Sequence, residues 1–198
     1  MLLLVAKPLP SVLVITPEQH LPGEQQALEG LLAAGARIHL RKPGLEAAAL
    51  SHFLAALPDE ARRGITLHGP RDVAEDLGCG GWHHPQASAG NELRGSRSWH
   101  RLSEPCAGVD YGLLSPIWPS TSKPGYGPMW TVEQLRHAAQ TWPVPVYALG
   151  GVTPAHCTRA RALGFAGVAV LGWLWQAGAA TTLDRWHELR CAWDSAAP

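Results

Sequence analysis

Short apolar runs and segments of helical period alternate along the whole chain. Residues 11–16, Ser-Val-Leu-Val-Ile-Thr, form a continuous β-branched run stopped by Pro17, the pattern of a strand buried on both faces. Helical period follows over 25–34 and stops at Gly35. The same alternation then repeats. Strands are predicted at 37–41, 65–68, 80–83, 97–99, 111–114, 144–149 and 167–171, and helices at 45–57, 71–77, 132–140, 154–163 and 183–193, with a short helix near 103–106. Pro154 sits in the first turn of its helix and Gly164 follows its end, the favoured asymmetry for those residues.

Continuous apolar strands joined by helical crossovers indicate a parallel sheet covered by helices. Eight such units predict a compact α/β fold, a closed (β/α)8 TIM barrel formed by one domain spanning residues 1–198. The chain is shorter than the usual barrel of roughly 250 residues, so its helices must be short. An open doubly wound sheet is the alternative, weakened by the lack of a glycine-rich dinucleotide fingerprint after the first strand.

Composition narrows the function classes. Lys plus Arg equals Asp plus Glu at 16 each, with no basic or acidic block, which argues against nucleic acid and anionic membrane as partners. The apolar start at residues 1–6 is too short to span a bilayer. Cys79, Cys106, Cys157 and Cys191 are scattered without a paired spacing, so neither a disulfide framework nor a zinc site is indicated, and a cytoplasmic location is expected. Tryptophans 173, 175, 186 and 193 suit helix-to-barrel packing and equally a homodimer contact.

In a barrel of this kind the chemistry sits at the C-terminal ends of the strands. Those ends carry His39-Leu40-Arg41-Lys42, His68-Gly69, His83-His84, Ser98-Trp99-His100, Ser115, Gly150-Gly151 and Gly172. Period-two alternation puts His39 and Arg41 on one side, both facing the barrel axis. His39, His68 and His83 are the candidate functional histidines, whereas His84 and His100 are read as ordinary hydrogen-bonding residues. No tight ligand spacing makes the histidines a metal site. Gly150-Gly151, before a helix N-terminus, would let a phosphate approach the backbone, with Gly172 completing the cradle. The alternative for the glycine pair is a tight turn. Residues 109–128 form a long proline- and hydroxyl-rich loop in which Ser120, Ser122 and Lys123 could clamp an anion.

Taken together, these stretches resemble the thiamine phosphate synthase/thiazole tautomerase superfamily. The likeness rests on His39-Leu40-Arg41-Lys42, Gly81-Trp82-His83, Ser98-Trp99-His100, Asp110-Tyr111 through Ser115-Pro116-Ile117-Trp118-Pro119-Ser120-Thr121-Ser122-Lys123, and Ala148-Leu149-Gly150-Gly151-Val152. The resemblance implies an enzyme that joins a hydroxymethylpyrimidine diphosphate to a thiazole phosphate with release of pyrophosphate. Arg41 and Lys123 would grip the diphosphate with Ser120 and Ser122 nearby, and Gly150, Gly151 and Gly172 would hold the thiazole phosphate.

It also implies Mg2+ on two aspartates, but the corresponding positions read His68-Gly69 and His83-His84-Pro85-Gln86-Ala87. Both expected carboxylates are missing. The glutamine of the family's strand-two pattern is His39, and its lysine is displaced by one. A His-x-Arg start also occurs in the tautomerase branch, where proton transfer suits histidine, although that branch carries a histidine where this chain has Pro116. A proton-transfer enzyme acting on a thiazole phosphate is therefore the second expectation. A non-catalytic module binding thiazole or thiamine phosphate is the third.

Overall fold

The strands close into one barrel in sequence order, β1 to β8, every neighbouring pair parallel, with β8 returning to β1 through Val12↔Val168 and Val14↔Val170. The computed structural model describes residues 9–90, 92–119 and 130–196. Its elements are β1 (Val12–Ile15), α1 (Glu24–Ala33), β2 (Arg37–Arg41), α2 (Ala47–Ala55), α3 (Asp59–Arg62), β3 (Ile65–His68), α4 (Arg71–Asp76), β4 (Gly81–His83), β5 (Arg94–Trp99), β6 (Tyr111–Leu114), α5 (Val132–Thr141), β7 (Val146–Leu149), α6 (Pro154–Leu163), β8 (Gly167–Val170), α7 (Gly172–Trp175) and α8 (Thr182–Asp194). A 3₁₀ turn at Ala179–Thr181 precedes α8.

The outward faces of the strands supply the main core. Val12, Val14, Ile38, Leu114, Val146, Ala148, Val168 and Val170 pack beneath Leu28 and Leu31 of α1, Leu135 of α5, Cys157 and Ala160 of α6, and Trp186 and Leu189 of α8. Leu40, Ile65 and Leu67 pack separately under Leu50 and Leu54 of α2 and Val73 of α4. Helix ends follow from local chemistry. Thr131 and Gln134 exchange reciprocal hydrogen bonds that start α5, and Gly164 takes the left-handed turn that ends α6.

The inside of the barrel is divided. Leu13, Ile15, Tyr111, Leu113, Tyr147 and Ala169 form an apolar interior on the β1, β6, β7 and β8 side. The register puts Arg37, His39 and Arg41 of β2 beside Thr66 and His68 of β3, then His83 of β4 and Ser96 of β5. One half of the barrel is therefore oily and the other is lined with groups that must find hydrogen bonds.

Some expected boundaries shift. β5 begins at Arg94, ahead of its predicted start, because Arg94-Gly95-Ser96 pairs with β4 although it carries no apolar signature. No helix forms at 103–106: Pro105 removes a backbone donor, and the fully buried Cys106 side chain fills the space above Gly112. The helix expected at 45–57 ends at Ala55, and Pro58 then precedes the extra turn α3. Gly172 opens α7 rather than extending β8, and the Trp175 indole of that helix donates to the Ile15 carbonyl at 2.9 Å. No helix among the described residues is long and apolar enough to cross a membrane.

Candidate active site at the strand ends

At the C-terminal mouth of the barrel lies a cavity of about 510 Å³, lined among others by Glu18, Arg41, His68, His83, Ser98 and His100. It is within the size range of small-ligand sites. The strand pleat places these groups there: Arg41 lies two residues beyond His39, and Arg41 is paired in register with His68. His39 is one layer deeper and fully buried.

Three imidazoles meet where the polar half of the barrel opens. His39 Nδ1 lies 2.8 Å from His68 Nε2, and His39 Nε2 lies 2.8 Å from the Tyr111 hydroxyl. His68 and His83 stack face to face with centroids 4.0 Å apart. His83 is held at both nitrogens, by Ser96 Oγ at 2.8 Å and Ser98 Oγ at 3.0 Å.

Burial keeps all three rings uncharged. It drives His39 and His68 well below the ordinary histidine range, helped by the neighbouring rings and by Arg37 and Arg41. His83 is pushed down to about 4, by burial first and then by His84 and Arg41. At neutral pH the cluster offers hydrogen-bond donors and acceptors rather than charge.

The cationic groups separate sharply. Arg41 reaches the mouth half-exposed, its Nη1 2.6 Å from Glu18. A guanidinium has five donors, so one carboxylate does not exhaust it. Lys42 points the other way. Its ammonium is buried, 2.6 Å from the Glu24 carboxylate and 2.8 Å from the Pro17 carbonyl, and serves the fold rather than the cavity. Ser120, Ser122 and Lys123 lie outside the described residues.

Gly150 and Gly151 have positive φ of 96° and 65°. A Cβ on Gly151 would run into the Pro119 carbonyl oxygen, and one on Gly150 would sit 3.0 Å from Pro116 Cα. Ile117 and Trp118 donate their backbone N–H groups to the Leu149 and Gly150 carbonyls at 2.9 and 3.1 Å. The close approach that requires glycine is thus made by the segment after β6, and Trp118 continues it by stacking on His156 at 4.5 Å.

Metal ligation by this cluster meets a geometric obstacle. The ring nitrogens of His39, His68 and His83 lie within 4.8 Å of one another. However, His68 and His83 are near-parallel, at 14°, and in-plane lone pairs of stacked rings cannot both converge on an ion about 2 Å away. Mg2+ is a poorer match still, since it takes oxygen ligands in octahedral geometry. Among the described residues Glu18 is the carboxylate lining this cavity, and it is engaged with Arg41. The donor set does not fit the Mg2+ site that the resemblance implied.

Several site residues escaped the sequence reading. His100, read as ordinary, lines the cavity, with Nδ1 at 3.0 Å from the Ser115 carbonyl oxygen. Arg37 and Thr66 stand two residues from His39 and His68 on the same strands, so the alternation used for His39 and Arg41 would have found them, whereas Ser96 lies before the predicted fifth strand. Tyr111 read as merely apolar, and its role depends on register that no local pattern carries. Glu18, just after β1, had no signal at all.

Comparison with known proteins locates this arrangement. Residues 97–174 match the family model described as thiamine monophosphate synthase. A putative thiamine-phosphate synthase of Geobacter sulfurreducens is 31% identical over 179 residues, covering 80% of this chain and 84% of that protein. A thiamine-phosphate synthase of Laribacter hongkongensis is 29% identical over 177 residues with the same coverage, 80% and 84%. The crystal structure of a thiamine phosphate pyrophosphorylase from Bacteroides thetaiotaomicron superposes with a TM-score of 0.74 at 24% identity, covering 94% of this chain and 98% of that one, a likeness of fold.

Proposed function

The chain belongs to the thiamine-phosphate synthase family, a family of transferases, and from that premise we propose that it joins a hydroxymethylpyrimidine diphosphate to a thiazole phosphate and releases pyrophosphate. The thiazole ring nitrogen supplies the electron pair of the new C–N bond. The methylene C–O bond to the diphosphate breaks, and its electron pair leaves on pyrophosphate. The supporting observation is Arg41, the cation that reaches a cavity it shares with the rings of His68 and His83, the hydroxyls of Ser98 and Ser115, and the Glu18 carboxylate that pairs with it. A cation placed where charge grows on the leaving group lowers the barrier. By resemblance Lys123 joins Arg41 on the diphosphate with Ser120 and Ser122, and Gly150, Gly151 and Gly172 receive the thiazole phosphate. No step is routed through Mg2+.

One observation favours a second reading. Neutral His68 and His83 at the cavity wall suit proton transfer on a thiazole carboxylate phosphate. Genetic replacement tests the first reading. A bacterial strain lacking its own condensing enzyme should grow without thiamine when it expresses this chain. Failure to grow, with soluble protein present, counts against condensation. Exchange of a thiazole C–H with deuterated solvent, catalysed by the purified chain, would then support proton transfer.

A further inference from the structure

Behind the cavity wall a line of hydrogen bonds runs through the polar half of the barrel. Arg37 Nε donates to Thr66 Oγ1 at 3.2 Å, and its Nη2 donates to the Gly80 carbonyl at 2.6 Å. Thr66 Oγ1 lies 3.2 Å from the Tyr111 hydroxyl, which lies 2.8 Å from His39 Nε2. His39 Nδ1 then lies 2.8 Å from His68 Nε2. Thr66, His39 and Tyr111 are all buried.

Proton accounting gives this line a direction. Arg37 can only donate, because a guanidinium has no acceptor. Thr66 therefore accepts from Arg37, and among the described contacts its own hydroxyl proton has the Tyr111 oxygen as acceptor. Tyr111 in turn donates to His39 Nε2. His39 must then carry its proton on Nδ1 and donate it to His68 Nε2, which leaves the His68 proton on Nδ1. The reverse assignment would strand the Thr66 proton inside the barrel, at the cost of an unmade buried hydrogen bond. His68 Nδ1 has no hydrogen-bond partner among the described residues, and the ring lines the cavity.

We infer that Arg37, Thr66, Tyr111 and His39 form a one-way donor chain that locks His68 as a neutral Nδ1–H donor aimed at an anionic oxygen in the cavity. Each donor that accepts a hydrogen bond becomes a stronger donor, so the chain carries the polarising effect of the buried Arg37 cation to the wall without placing charge there. The four are positioning residues, and His68 is the group that meets the ligand. The inference rests on the condensation reading only in identifying that oxygen as part of the departing diphosphate.

The test is histidine tautomer assignment by nitrogen-15 NMR, which does not depend on turnover. In the wild-type protein both His39 and His68 should be Nδ1–H, the form that free imidazole side chains disfavour in water. Tyr111→Phe should release His68 toward Nε2–H. Thr66→Ser keeps the chain and should keep the wild-type tautomers, separating a chain effect from a packing effect. Inorganic pyrophosphate should shift the His68 Nδ1 signal in the wild-type protein and bind about fivefold more weakly to the folded Tyr111→Phe variant. An Nε2–H His68 in the wild type, or tautomers unchanged in folded Tyr111→Phe, overturns the inference. Correct tautomers with no pyrophosphate response would overturn the choice of ligand.

Discussion

Acidifying the ligand-free protein should cost it stability well above the pH at which ordinary carboxylates take up protons. The reason is that His83 titrates at about 4 in the folded protein against 6.5 for an unperturbed histidine. A folded pKa below the unfolded one means that the unfolded chain binds more protons between the two values, so unfolding gains as pH falls. The stability tied to a neutral His83 is complete above about pH 6.5 and is lost as pH drops toward 4. A gap of roughly 2.5 units at about 1.4 kcal/mol per unit gives ~3–4 kcal/mol from this residue. His39 and His68 are displaced in the same direction, but their rings share a hydrogen bond, so the pair takes up protons as one coupled unit. His156, also lowered by burial, adds in the same sense. Urea unfolding at constant ionic strength from pH 7.5 to 5 reads the effect before carboxylates with pKa near 4 contribute. The expected slope is about 1.4 kcal/mol per pH unit for each proton taken up. A His83→Gln variant should lose about one proton's worth of that slope. Flat wild-type stability across this interval, or a His83 resonance titrating near 6.5, would refute the argument.

Other perturbations follow from the same geometry. Arg41→Ala should raise the KM for the pyrimidine diphosphate at least about tenfold, the cost of losing a charge-assisted phosphate contact. Its melting temperature should barely move, because the half-exposed pair with Glu18 contributes ~1 kcal/mol or less. A variant that melts early with unchanged KM would contradict this. Lys42→Met should do the opposite: it strands the buried Glu24 carboxylate and should destabilise the protein by roughly 3–5 kcal/mol in denaturant unfolding. A loss under ~1 kcal/mol would show that the pair does not hold the β2 end in place. Titrating Mg2+ into the ligand-free protein by calorimetry should reveal no tight stoichiometric site, since this cavity presents imidazoles instead of paired carboxylates. Micromolar binding would expose ligands that the donor set does not suggest.

The barrel was legible because its outward strand faces are apolar, and β2, β3 and β6 fall at their predicted bounds. The first half of β5 was not, since Arg94-Gly95-Ser96 serves a polar interior and so lacks the pattern by which strands are recognised. The site was half legible. Position at a strand end picked out Arg41, His68 and His83, which line the cavity, and pleat alternation put His39 on the same side. Arg41 and Lys42 diverge because Lys42 follows the last residue of β2 and turns its ammonium onto Glu24. What the sequence could not convey were contacts made across the barrel, such as Tyr111 with His39, 72 positions apart. The glycine pair shows the converse. Its need for positive φ was readable, but only the folded chain reveals that Pro119 and Trp118 occupy the space a side chain would take.

The most direct test of the account is product identification by phosphorus NMR. Purified protein is mixed with hydroxymethylpyrimidine diphosphate and thiazole phosphate, and both phosphorus-containing products are counted over time. Condensation at the Arg41 cavity predicts thiamine phosphate and pyrophosphate appearing in equal amounts, both lost together in Arg41→Ala. Folded wild-type protein that binds thiazole phosphate yet forms neither product would contradict it.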